Sequence, residues 1–312
     1  MRIFSFLLAG IVWSLANQAA SFAGEDFPKT TVVEVLAYRA HGEVTSGSAV
    51  LLSAERLVTN CHVTAVANTL EIVHNGRNWP AKVEAQDRIH DLCILSAPGI
   101  TGAKAHLAKS VTVGLKVFAA GFFDANRLAV TEGHIVALHD YNGAQVIQVS
   151  APFDLGASGG GLFDEDGRLI GVLTFKARKG GNFHFAVPTE WISDLNRADR
   201  ENCVIPTLAF WQQPPDKQPV FVRAASLEAA QMWDALAALA EQWTKESPMN
   251  SRAWIALETA FRHLQRMDDA LLARGQAQRL DFIKASQKKP SNEDAGQLHQ
   301  YPFGTRPSNC VR

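Results

Sequence analysis

The chain has 312 residues, 47% of them apolar and 20% charged, with a formal net charge of −1. This composition is globular rather than disordered, and the near-zero charge gives no electrostatic reason to expect nucleic acid or an anionic membrane surface as partner. The length suffices for one substantial core plus a smaller unit.

Residues 1–23 read as an export signal. Arg2 gives a positive start, Ile3 to Ala16 an apolar stretch too short for a comfortable permanent span, and Ser21-Phe22-Ala23 a small-x-small site. Cleavage is expected after Ala23, giving a periplasmic or secreted protein with no stable membrane span. Export would place Cys61, Cys93, Cys203 and Cys310 in an oxidising compartment, where an even count suits disulfides. Four cysteines allow three pairings.

From Thr30 to Pro188 the chain is a series of short segments rich in Val, Leu, Ile and Phe, separated by Gly, Asn and Asp clusters. Strands are expected over 31–39, 47–53, 56–60, 69–74, 81–87, 91–97, 116–122, 128–139, 144–151, 167–175 and 183–188, which argues for an antiparallel barrel or sandwich. Within them, the stretch FDLGASGGGLFDEDGRLIGV (Phe153–Val172) crowds glycines around Ser158 and then folds an apolar run back at a DEDG turn. Glycines at that density let main-chain N–H groups point into one spot. Taken alone, the stretch equally suits an idle hairpin.

A helix is expected after Pro188, in TEWISDLNRA, with its acidic first turn. Residues 24–202 form the strand-rich domain. Residues 203–223 then carry four prolines and read as an extended connector. Helical periodicity returns over Leu227–Thr244 and Arg252–Ile283, within a region set at 224–284. Residues 285–312 form a polar tail, loosely ordered apart from Cys310. In SPMNSRAWIALETAFRHLQRMDDALLARGQAQRLDF, the residues Trp254, Leu257, Ala260, Phe261, Leu264, Asp269, Ala270 and Ala277 resemble the packing positions of a tetratricopeptide repeat. Glu258 departs from that pattern, standing where a small residue is usual. Repeats bury their faces against neighbours, so these helices are expected to dock on the strand-rich domain. They act either as a buttress or as a surface for a protein partner.

His62 lies in LVTNCHVTAV, where a strand gives way to a short helical segment, and Asp91 lies in RIHDLCILSA at the start of a strand. The order His62, Asp91, Ser158 resembles the chymotrypsin-like serine peptidases, above all the compact bacterial HtrA-type branch. Four phrases carry the resemblance: Thr59-Asn60-Cys61-His62-Val63, Asp91-Leu92-Cys93-Ile94-Leu95, Gly156-Ala157-Ser158-Gly159-Gly160 and Phe185-Ala186-Val187-Pro188. It covers roughly Thr30 to Leu195. It implies a mainly β fold of two antiparallel barrels, followed here by the small helical region. It also implies an endopeptidase that cleaves protein or peptide substrates through an acyl-enzyme. His62 would be the general base, Asp91 its orienter and Ser158 the nucleophile, with the N–H groups of Gly156 and Ser158 binding the oxyanion.

The resemblance further makes Thr174, Phe175 and Lys176 the strand against which substrate pairs, and places His184 at the primary specificity pocket. Pro152, six residues before Ser158, does not match the aspartate of arginine- and lysine-specific relatives. Ala157 and Gly161 depart from the usual Asp or Asn and Pro. Ala157 cannot pair with a freed N-terminal amine, which argues against activation by a new terminus, and Gly161 implies a looser oxyanion loop that substrate or partner settles. His90 faces away from Asp91 and is left out of the mechanism. Neighbouring His62 and Asp91 segments would bring Cys61 to Cys93, which leaves Cys203 with Cys310. No HExxH, CxxC pair or P-loop is present, so no metal or other cofactor is expected. The competing reading is a retired protease fold serving as a binding or scaffold protein through its helices. Ester hydrolysis would use the same residues.

Overall fold

The computed structural model describes residues 30–287 apart from 41, 66, 109, 124–126, 178–182 and 196–207. The expected signal segment, Cys203, Cys310 and nearly all of the polar tail lie outside the described residues. Among those described, no helix is long and apolar enough to cross a membrane.

Strands β1 (Val32–Tyr38), β2 (Val44–Ser53), β3 (Arg56–Thr59), β4 (Thr69–His74), β5 (Arg77–Asp87) and β6 (Leu92–Ser96) close into one antiparallel barrel in the order β1-β2-β3-β6-β5-β4. A single helical turn, α1 (Cys61–Thr64), leaves β3. Strands β7 (Lys116–Phe123), β8 (Arg127–Tyr141), β9 (Ala144–Val149), β10 (Gly161–Phe163), β11 (Leu169–Lys176) and β12 (His184–Pro188) close a second barrel in the order β10-β11-β12-β9-β8-β7. The double barrel is the chymotrypsin-like fold that the motifs implied. Closure leaves neither sheet with a long unpaired edge.

The sequence drives both barrels by alternation. In β8, Gly133, Ile135, Ala137 and His139 are buried while Glu132, His134, Val136 and Asp140 face out. Hairpins β4–β5 and β8–β9 turn on Asn75-Gly76 and Asn142-Gly143, with φ of 51° and 71° in the first and 46° and 81° in the second. Two positive φ values match the right-handed strand twist, and Asn-Gly accepts them at little cost. Val33, Val35, Leu51, Leu57, Ile72 and Leu95 fill the first barrel. Val117, Ile135, Ile147, Val149, Leu162 and Ile170 fill the second.

After α2 (Glu190–Leu195) come α3 (Val220–Ala229), α4 (Trp233–Glu246), α5 (Ser251–His263) and α6 (Met267–Gln287). The helix expected over Leu227–Thr244 is two helices, broken where Gln231 takes a φ of 56°. Helix α3 starts inside the proline-rich stretch, directly after Pro219, whose ring cannot continue a helix backwards but permits one to begin. The described part of that stretch before Pro219, residues 208–218, is no free spacer. Phe210, 1% exposed, packs against Trp191 and Tyr141, and its N–H donates to Ile89 O at 2.9 Å. Phe221 of α3 stacks on His139 of β8, ring centres 4.5 Å apart, so the helices dock on the second barrel. Farther out, Trp233 of α4 stacks on His263 of α5 at 3.8 Å.

Candidate active site

The loop before β6 and the turn after β3 meet at Asp91. Its carbonyl accepts from Asn60 Nδ2 at 2.9 Å and from Cys61 N at 3.3 Å. These bonds hold Asp91 at a φ of 60°, a left-handed conformation that aspartate tolerates better than most residues. The carboxylate, 1% exposed, accepts the His62 N–H on Oδ1 at 2.9 Å and faces His62 Nδ1 from Oδ2 at 2.6 Å. An ionised carboxylate can only accept, so Nδ1 carries the imidazole proton and Nε2 is free to act as a base. A third donor arrives from outside the barrels: Trp211 Nε1 reaches Asp91 Oδ2 at 3.2 Å. The same indole meets the His62 ring edge-to-face at 5.5 Å and stacks on Phe175 at 5.1 Å.

Ser158 sits in the loop between β9 and β10, which rests on the first barrel. Ser48 of β2 binds it through its N–H and its hydroxyl. Its N–H donates to Ser158 O at 2.8 Å, its hydroxyl donates to Gly156 O at 2.8 Å while accepting from Phe122 N at 2.8 Å, and its carbonyl accepts from Thr59 Oγ1 at 2.7 Å. Gly159 has a φ of 86°, and a Cβ there would lie 2.1 Å from Ser48 O, so only glycine fits. Among the described residues, the N–H groups of Gly156 and Ser158 donate to no acceptor. The Ser158 hydroxyl donates to Thr174 O at 3.3 Å, and no hydrogen bond joins it to His62.

The two departures from the expected motif have packing reasons. Ala157 is fully buried in the core of the second barrel, against Gly121, where a Cβ would come within 2.8 Å of Ala157 Cα. A carboxylate in its place would have to give up its hydration among these apolar neighbours. Gly161 is not a loop residue. It opens β10, paired with Ala120 and Val172, and a side chain there would strike the Phe163 ring at 2.3 Å. The looseness expected from this glycine is therefore replaced by a paired strand and a loop pinned by Ser48.

Of the substrate-binding residues read from the sequence, Thr174, Phe175 and Lys176 lie on β11 and His184 on β12. Leu173 pairs with Gly159 and Gly160, and past it the side of β11 facing Ser158 has no strand partner among the described residues, while Phe175 and Lys176 pair on the other side with β12. Thr174 is buried, and its hydroxyl accepts from Asn60 Nδ2 at 2.9 Å. Lys176 Nζ donates to Asp154 Oδ1 at 2.7 Å, holding that carboxyl below its ordinary range. His184, opposite Lys176, is 8% exposed and lies against Phe153 at 4.9 Å, with no partner for Nδ1. Burial, then the Lys176 charge, lowers its pKa.

Cys61 and Cys93 form a disulfide with Cα atoms 4.9 Å apart, fastening the His62 turn to β6. His90 is turned away from His62: its Nδ1 faces Asp87 Oδ2 at 2.6 Å and its ring stacks on Trp191 at 4.0 Å. Sequence reasoning missed Ser48 and Trp211, and it quoted Asn60 within its motif without reading a role for it. Only Trp211 left a signal, since adjacent aromatics in a polar, proline-rich stretch need somewhere to pack.

Residues 47–172 match the family model of the trypsin-like peptidase domain. The chain is 30% identical over 163 residues to the periplasmic serine endoprotease DegP of Escherichia coli K12, which covers 48% of this chain and 34% of that protein. It is 36% identical over 126 residues to the uncharacterized protein y4bJ of Sinorhizobium fredii, covering 38% and 20%. The chain thus spans about a third or less of these relatives' lengths. Among solved structures, the HtrA-type protease AlgW with a tripeptide aligns with a TM-score of 0.51 and 29% identity, over 55% of this chain and 61% of that one. Matched motifs and matched barrels agree: the strand-rich part of this chain is similar to the trypsin-like serine peptidases of the HtrA type.

Proposed function

We propose that this protein is an exported serine endopeptidase. The observation that carries the reading is the His62–Asp91 pair, with Nδ1 engaged, together with a glycine-bounded serine whose N–H and that of Gly156 donate to no acceptor among the described residues. An extended peptide would add to the open edge of β11. Its N–H would take the Thr174 carbonyl as acceptor and release the Ser158 hydroxyl. His62 Nε2 then accepts the hydroxyl proton as Oγ attacks the scissile carbonyl, and Asp91 stabilises the imidazolium. The N–H groups of Gly156 and Ser158 would bind the developing oxyanion, worth about 3 kcal/mol per donor. His62 next protonates the leaving amine, and water hydrolyses the acyl-Ser158 by the same route.

The neutral, half-satisfied His184 favours a substrate side chain that hydrogen-bonds at the primary pocket. The signal pattern at residues 1–23 and the Cys61–Cys93 bond support a periplasmic or secreted address. Helices α5 and α6 would present a tetratricopeptide-like surface to a protein partner. Turnover of an unfolded protein and of an acyl ester by the mature chain tests the activity. Cleavage of both that is lost in Ser158→Ala is expected. Ester hydrolysis alone would make this an esterase, and neither would leave a retired fold.

A further inference from the structure

Ala209–Lys217 belongs to neither barrel, yet it ends on the triad. Phe210 inserts into an aromatic nest with Tyr141, Phe175 and Phe221, and its N–H bonds Ile89 O, two residues before Asp91. The Trp211 carbonyl accepts from Gln218 Nε2 at 2.9 Å, and the same amide donates to Gln213 O at 2.8 Å. This closes the turn that feeds α3. The indole is thus fixed at both ends: its ring lies flat on Phe175 and its N–H rests on Asp91 Oδ2, the oxygen that also faces His62 Nδ1.

We infer that Trp211 is a positioning residue for the reaction, so that the segment anchored by α3 completes the catalytic site rather than merely following it. The inference rests on the peptidase reading of the same site. Two donors on Oδ2 and one on Oδ1 fix the twist of the buried carboxylate. That twist fixes the plane in which His62 Nδ1–H donates, and through the ring it aims Nε2. Removing a hydrogen bond to a charged group leaves a buried lone pair unmet and loosens the plane.

The test uses the full mature chain. In a Ser158→Ala background, proton NMR reads the low-field signal of His62 Nδ1–H, identified by its loss in Asp91→Asn. Trp211→Phe keeps the stack on Phe175 but lacks the N–H, and it should shift this signal with the fold and disulfide intact. With Ser158 present, the same substitution should slow labelling by a fluorophosphonate about tenfold, and Trp211→Ala should slow it further. A signal unmoved in Trp211→Phe, or a labelling rate within about twofold of the parent, overturns the inference and leaves the peptidase reading standing. A parent chain that takes up no probe while the signal still moves removes the peptidase reading and keeps the Trp211–Asp91 contact.

Discussion

Ser48, fully buried, holds the loop of Ser158 to the first barrel through its N–H and its hydroxyl, and the same hydroxyl accepts from Phe122 N. Ser48→Ala leaves Gly156 O and Phe122 N without their shared partner, which costs roughly 1–3 kcal/mol. The larger effect should be kinetic: once its carbonyl is freed, Gly156 can turn and its N–H, in the preceding peptide, loses its aim, so kcat for an acyl ester should fall by up to about a hundredfold. Unchanged kcat in a folded Ser48→Ala protein would mean that the loop needs no such anchor. At this scale His62, Asp91 and Ser158 were legible because each sits in a phrase whose residue types serve backbone geometry as well as chemistry. Ser48 was not legible, since a serine in a strand looks the same whether its hydroxyl faces water or a loop more than a hundred residues away. His184 was legible as a position, but its burial against Phe153 was not.

Helix α3 is held to the second barrel by Phe221, which lies on the buried His139. Burial lowers the pKa of His139 to about 4 from its ordinary 6.5, against the raising effect of its bond to Gln148 and the charge of Asp140, with Arg252 adding a smaller lowering push. The unfolded chain therefore binds a proton that the folded chain refuses between those two values. Stability from this group is full above about pH 6.5 and is lost as pH falls toward 4, by roughly 3 kcal/mol in all. Denaturant unfolding across that range should show the slope, and His139→Gln should flatten it. A slope identical in the variant would place the pH dependence elsewhere. The strands were readable because alternation and Asn-Gly turns are local signals, and β10 escaped the list because three residues are too few to show a period. The break between α3 and α4 was hidden for another reason: Gln231 is a good helix former that the fold places in a left-handed turn.

At the scale of the molecule, two barrels supply the two halves of the proposed site and a third segment closes it. The first barrel gives His62 and Asp91, the second gives Ser158 and β11, and the chain beyond gives Trp211. The double barrel could be expected from the order of the motifs. The return of the proline-rich stretch to Asp91 could not, because prolines announce an extended path without saying what it passes. The central claim is an activated serine, and the direct measurement is a fluorophosphonate adduct on the mature, oxidised chain, located by peptide mass mapping. An adduct on Ser158 that disappears in Ser158→Ala is the predicted result. A folded chain with the Cys61–Cys93 bond intact that takes up no probe at Ser158 would contradict it.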